Sequence, residues 1–260
     1  MRHALFFDAH LGHAGWERWW PALREAVEAE RARGARIVWA GDTLDWVEDS
    51  RFRPPEGLLR EGDIWIPGNH DPEAVPGLEV RHFLLLDGVF VAHGDQVDLQ
   101  YAFALLEGRF GLRRSSALAL YRGLIAAPDW AAQAARAWLF AFLHGGRPST
   151  PARALLAVSL PLLLALFVEV PDLYPPVEEL PQLPVFSRDP EIVLQKLLAL
   201  EPQAREAHTL VIGHLHPVPH VDAQVGGQRL VIAPAWPTWP HAGYVVVEDG
   251  EVEVRRVSAD

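Results

Sequence analysis

The sequence predicts a layered α/β domain, and three observations carry that prediction. Apolar runs of strand length alternate with an amphipathic helical stretch near the N-terminus. Two Asp-Gly pairs, Asp87-Gly88 and Asp249-Gly250, stand between apolar runs as two-residue hairpin turns do. Five apolar runs end in short clusters of oxygen- and imidazole-bearing side chains, and loops at strand ends are where open α/β sheets assemble their sites. Alternation followed by hairpins indicates packed layers rather than a barrel of repeats.

Residues 4–7 and 36–40 are the first two strands. Between them, WERWWPALREAVEAERAR places Trp16, Trp19, Trp20, Leu23 and Val27 on one helical face, with Gly34 as the stop. DIWIP (63–67) reads as a buried strand, and HFLLLDGVFVAH (82–93) as a hairpin. After a long second segment, HTLVIGHLH, RLVIAPA, AGYVVVEDG and EVEVRRV supply four further strands. Trp39 and Trp65 lie in strand runs and are assigned to the core, whereas Trp46, Trp236 and Trp239 suit either the core or a substrate groove.

Residues 98–188 differ in kind. They are rich in Ala, Leu and Arg, and predict a helical insertion that returns through the Pro-rich VPDLYPPVEELPQLP (170–184). The core is then 1–97 and 189–260. Within 98–168, seven Arg stand against Asp98, Glu107 and Asp129, a net of +4. The whole chain has a formal charge of −11, so the remainder carries −15. The most hydrophobic run, ALLAVSLPLLLALFV (154–168), would make a helix of about 22 Å. A bilayer core needs about 30 Å, and Pro161 would kink the middle. A buried or interfacial helix is expected there, not a membrane span.

Composition narrows the chemistry. The acidic balance opposes a broad nucleic-acid surface, which needs basic faces. With no cysteine, disulfides, thiolate sites and thiol catalysis are excluded, so any metal must be held by His, carboxylate and amide groups. Asp8 comes too early in the N-terminal apolar run for a secretory segment, and a cytoplasmic location is expected.

The five clusters are FFDAH (6–10), IVWAGDTLD (37–45), WIPGNHD (65–71), VAHGD (91–95) and VIGHLH (211–216). Singly, each reads as well as a cap or a turn; Asn69 is nevertheless the only asparagine in the chain. Together, Asp8, His10, Asp42, Asn69, His93, His214 and His216 offer hard oxygens and imidazoles. That set suits Mn, Fe, Co or Zn and suits Ca poorly. Seven ligands are too many for one transition-metal ion and fit two ions that share a carboxylate, with Asp42 the natural bridge.

In that order, Asp-x-His, Gly-Asp-x-x-Asp, Gly-Asn-His-Asp, His-Gly-Asp and Gly-His-x-His resemble the calcineurin-like metallophosphoesterase superfamily. The resemblance covers 1–97 and about 189–260. It implies a β-sandwich flanked by helices, the intervening insertion forming a lid. It also implies two divalent transition-metal ions, manganese foremost, whose bridging hydroxide attacks a phosphodiester or pyrophosphate bond. Asp8, His10, Asp42 and His216 would hold one ion, and Asp42, Asn69, His93 and His214 the other. His70 would act on the leaving group with Asp71 orienting it, while Asp45 and Asp95 would support the ligands from behind.

Within that superfamily, GDTLDWVED lacks the Arg-Gly of the Ser/Thr protein phosphatases. The insertion is similar to that of bacterial UDP-2,3-diacylglucosamine pyrophosphatases, which implies an acylated nucleotide-sugar substrate and peripheral contact with the inner face of a membrane. Two departures stand against it: Ala233-Pro234-Ala235 where relatives of those enzymes have Asn-Thr-Gly, and His70 where the best-known lipid A enzymes have Arg. Arg109, Arg113, Arg114 and Arg122 on an apolar insertion offer hydrocarbon and phosphate contacts at once. The alternatives are that these helices only pack on the core, that the substrate is a small nucleotide, or that the chain is a non-catalytic interaction module.

Overall fold

The computed structural model describes residues 1–46, 51–97 and 187–257. The expected insertion, its apolar run and Arg109, Arg113, Arg114 and Arg122 lie outside the described residues, apart from Ser187 and Arg188 at its expected end. Met1–Val97 and Ser187–Asp260 form one compact unit. No helix among the described residues is long and apolar enough to cross a membrane.

That unit is α/β, with two mixed sheets. The first contains β1 (Arg2–Phe6), β2 (Arg36–Ala40), β3 (Ile64–Ile66), β4 (Glu79–Val80), β10 (Gly243–Glu248) and β11 (Glu251–Arg256), in the order β11-β10-β1-β2-β3-β4. The second contains β5 (Phe83–Leu86), β6 (Val89–Ala92), β7 (Thr209–Ile212), β8 (Val221–Val225) and β9 (Gln228–Ile232), in the order β5-β6-β7-β9-β8. β1 through β4 run parallel, as do β6, β7 and β9. The hairpin partners β10, β11, β5 and β8 are antiparallel.

The two-residue side-chain period of a strand divides the core into layers. Leu5, Phe7, Val38, Ala40, Val245 and Val247 from the first sheet meet Val89, Val91, Val211 and Val231 from the second, which places the sheets face to face. Their alternates in the first sheet, including Phe6, Trp39, Trp65 and Tyr244, pack with Leu23 and Val27 of helix α1 (Trp20–Ala32). Phe90, Leu210, Ile212 and Leu230 turn outward from the second sheet toward Val193, Leu194 and Leu197 of helix α2 (Pro190–Leu200).

The first helix is shorter than its periodicity predicts. Pro21 has no N–H and cannot continue a helix back through the preceding turn, so Trp16–Arg18 forms a separate 3-10 turn. At the other end Gly34 does close the helix. It adopts φ 76°, donates to the Arg31 carbonyl and lets the Ala35 N–H reach the Glu30 carbonyl. Both Asp-Gly pairs turn hairpins with positive φ at each residue, 48° and 83° at Asp87-Gly88 and 51° and 82° at Asp249-Gly250. Trp39, Trp65 and Trp236 are fully buried, and Trp46 and Trp239 are half-buried against the same cluster.

Candidate metal centre

The parallel strands bring their carboxyl ends to one end of the sandwich, and the five sequence clusters follow those ends. Asp8 and His10 follow β1, Asp42 and Asp45 follow β2, and Asn69, His70 and Asp71 follow β3. From the second sheet come His93 and Asp95 after β6, and His214 and His216 after β7.

The backbone marks the same positions. Among the described residues, the non-glycine residues with positive φ are Asp8, His10, Asp42, His214 and His216, together with the two turn aspartates. An L residue there costs on the order of 1 kcal/mol, so five candidate ligands sit in conformations their own side chains disfavour. The loops are held by cross-links: Asp8 N–H to the Gly41 carbonyl at 2.9 Å, His10 N–H to the Asp42 carbonyl at 2.8 Å, and Gly213 N–H to the His93 carbonyl at 2.7 Å. Three glycines of the site are needed for space, the first being Gly41, where a Cβ would run into the His93 imidazole. A Cβ on Gly68 would lie 2.2 Å from Asp42 Oδ1, and one on Gly213 would lie 2.5 Å from Asp8 Oδ2.

The side chains converge into three groups, of which His10, Asp45 and His70 is one and shares His10 with a second. Asp8, His10 and His216 form that second, and Asp42, His93 and His214 the third, with the candidate donor atoms in each group within 4.8 Å of one another. His216 Nε2 lies 3.3 Å from Asp8 Oδ1 and 3.4 Å from His10 Nε2. His93 Nε2 lies 3.1 Å from Asn69 Oδ1 and 3.4 Å from Asp42 Oδ2. Asp42 Oδ2 is also 3.8 Å from His10 Nε2, which places this carboxylate between the two groups.

Charge explains why the cluster suits cations. Asp8, Asp42, Asp45 and Asp71 are all buried. Burial pushes the carboxyls of Asp8 and Asp42 upward, but the neighbouring His216 and His93 imidazoles outweigh it and hold both below the usual range. Burial opposes protonation of His93, yet Asp42 and Asp8 overcome it and push its pKa up to about 10. The His93 Nδ1 is buried without a hydrogen-bond partner among the described residues, and two imidazole Nε2 atoms face each other across 3.4 Å. Carboxylate oxygens, imidazole nitrogens and one amide oxygen, arranged in this way, could hold a metal ion.

The supporting residues depart from expectation. His70 is partnered by Asp45, with Nδ1 2.9 Å from Asp45 Oδ1, while the His70 N–H donates to Asp42 Oδ1 at 2.8 Å. Asp71 does not touch the imidazole. Its carboxylate accepts the N–H groups of Leu44 at 2.7 Å, Gly68 at 3.0 Å and Thr43 at 3.2 Å, and so binds the loops after β2 and β3 together. Burial, reinforced by the charge of Asp42, raises its pKa to about 7. Asp45 also lies 3.2 Å from His10 Nδ1 and 3.3 Å from His13 Nδ1. Burial raises the Asp45 carboxyl, but its contacts with His10 and His70 prevail and hold it well below the usual range. Asp95 opens the 3-10 turn Asp95–Val97 and adds to the negative field at His93.

His13 escaped the motif reading because DAH ends at His10. The available signal was its place three residues farther on in the same loop, where the His13 N–H closes a turn onto the His10 carbonyl at 3.1 Å. No protein-family model matches this sequence, and no curated protein matches it at a significant level.

Proposed function

We propose that this protein is a phosphoester hydrolase dependent on two divalent transition-metal ions, acting on a phosphodiester or pyrophosphate bond. The observation that carries this reading is the meeting of two three-residue donor groups around Asp42, beside a carboxylate-held imidazole. Asp8, His10 and His216 would hold one ion, and Asn69, His93 and His214 the other, with Asp42 shared. Such ions, when bound, activate a water nucleophile and neutralise phosphoryl charge, and manganese is the first candidate.

His70 is suited to the leaving group. Its N–H is fixed on Asp42 and its Nδ1 on Asp45, so its Nε2 edge points away from the carboxylate that orients it. Burial lowers the pKa of this imidazole, but the hydrogen bond to Asp45 and the charge of Asp42 raise it above the ordinary histidine value. With Nδ1 held by Asp45, Nε2 is the edge from which this imidazole would deliver a proton as a general acid. Asp45 keeps His10 and His70 oriented together, and Asp71 keeps the loops carrying Asp42 and His70 in register. An acylated nucleotide-sugar substrate, peripheral membrane contact and a cytoplasmic location remain part of the proposal through the resemblance and the composition of the insertion.

The test is elemental analysis of the purified protein together with hydrolysis of bis(p-nitrophenyl) phosphate. Activity should disappear with chelator and return with manganese. Protein that retains none of Mn, Fe, Co or Zn, or hydrolyses no phosphoester with any of them, would refute the reading.

A further inference from the structure

His10 and His93 are aimed by different means. His10 turns Nε2 toward His216 and Asp42, and its other ring nitrogen, Nδ1, lies 3.2 Å from the Asp45 carboxylate. A partner on the second ring nitrogen is the usual device for orienting a ligand imidazole. His93 lacks one among the described residues. Its Nε2 faces Asn69 and Asp42, but Nδ1 is buried without a hydrogen-bond partner, and Asp8 Oδ1 at 4.0 Å is out of reach. The aim of this ring must come from packing and from its backbone. Gly41 supplies the packing, because it leaves room for nothing but the imidazole.

Gln96 holds the backbone. The peptide unit joining His93 to Gly94 is clamped on both sides: its carbonyl accepts the Gly213 N–H at 2.7 Å, and its N–H donates to Gln96 Oε1 at 3.0 Å. Gly94, at φ 113°, packs so closely that a Cβ there would stand 3.1 Å from the Gly213 carbonyl oxygen. One peptide plane thus bridges the loops after β6 and β7, with His93 on one side and His214, next after Gly213, on the other. Gln96 is buried, and a buried carboxamide is costly unless its hydrogen bonds are met. Its Nε2 lies 3.5 Å from Glu201 Oε1, and Glu201 closes helix α2 by donating its N–H to the Leu197 carbonyl at 2.7 Å.

In the first sheet the Asp71 carboxylate performs this task for the loops carrying Asp42 and Asn69. In the second sheet it falls to a neutral carboxamide. We propose that Gln96 is a positioning residue for His93 and His214, and that it sets the affinity of the Asn69, His93 and His214 side for its ion without touching that ion. This rests on the two-ion reading and deepens it, because it makes the two ions separable through a residue that ligates neither.

The experiment is calorimetric titration of the chelator-stripped full chain with manganese, and electron paramagnetic resonance of the loaded protein, for wild type, Gln96→Met and the double variant Gln96→Glu/Glu201→Gln. Methionine keeps the length of the side chain but removes the oxygen that holds the Gly94 N–H. The double variant keeps an oxygen for that N–H and exchanges donor and acceptor between positions 96 and 201. Wild type should bind two ions and show a coupled manganese pair. Gln96→Met should bind one ion as wild type does and the other roughly 10- to 100-fold more weakly, the usual cost of losing a partner behind the ligands. At limiting manganese its spectrum should be that of an isolated ion, and the double variant should regain the coupled signal. Wild-type affinities in Gln96→Met, equal weakening of both ions, or a double variant as deficient as Gln96→Met would each overturn the role of Gln96 alone. Wild type that binds fewer than two ions would overturn the two-ion reading and this inference with it.

Discussion

His70 Nδ1 lies 2.9 Å from Asp45 Oδ1, across the loops that follow two neighbouring parallel strands. This contact separates two carboxylates that sequence places on equal terms. Asp45→Asn should lower turnover and metal affinity roughly 10- to 100-fold, the usual effect of losing a partner behind the ligands. Asp71→Asn should act chiefly on thermal stability, because its oxygens hold backbone N–H groups. Steady-state kinetics and melting curves of the two variants would reverse this assignment if Asp71→Asn were the worse catalyst at equal stability.

Asp42→Ala should deplete both ions and abolish activity, whereas His216→Ala should deplete one more than the other. Asp42 stands near donors of both groups, and His216 belongs to one. Metal-to-protein ratios by elemental analysis are the measurement, and equal depletion would contradict the shared role.

His70→Ala should keep both ions and lose roughly 10²–10⁴ in turnover, the range for a general acid. The deficit should be smallest for nitrophenolate leaving groups, which need little protonation. A series of aryl phosphodiesters of graded leaving-group pKa would show this as a steeper dependence in the variant, and parallel slopes would argue against proton donation.

Far from the cluster, buried Glu30 accepts hydrogen bonds from Arg2 at 2.9 Å, Arg33 at 2.8 Å, Tyr244 at 3.0 Å and Arg255 at 2.7 Å. Burial raises its carboxyl, but these partners win and lower it below its ordinary value. Glu30→Ala should cost about 3–5 kcal/mol near neutral pH, since it strands charges around a buried site. A depressed folded pKa gives stability that is complete above the unfolded pKa, about 4.3, and is lost as pH falls through the folded value. The gap between wild type and Glu30→Gln in urea unfolding should therefore narrow below about pH 4. A gap that widened on acidification would contradict the ion-pair account.

Much of the fold was legible because strands buried on both faces read as apolar runs, as LFF, IVWA and LVI do here. β8 was missed because its residues are exposed or half-buried, leaving no apolar run, although Gly226-Gly227 marked its turn into β9. Helix α2 was missed despite Asp189, whose carboxylate accepts the Glu191 N–H at 2.9 Å, followed by Pro190 in the first turn. In the candidate site, the ligand types and their positions after strands could be read in one dimension. Which carboxylate serves His70 could not, because it depends on the loop after β2 folding back over Gly68 until its N–H groups capture Asp71.

The left-handed candidate ligands also give the sandwich a polarity. Left-handed non-glycine residues crowd where β1, β2 and β7 end, five there against the two turn aspartates at the opposite end's Asp-Gly hairpins. With ions bound, that crowded end would be cross-linked; once they are withdrawn, its buried carboxylates are left to the neighbouring imidazoles alone, on loops already in disfavoured conformations. The apoprotein should thus fray from one side, keeping slow amide exchange at Val89 and Val246 while Asp8, Asp42 and Gly213 exchange readily. Metal loading would then act as a folding cofactor for half of the molecule, and heat resistance would track the ion supply more than the quality of the apolar core.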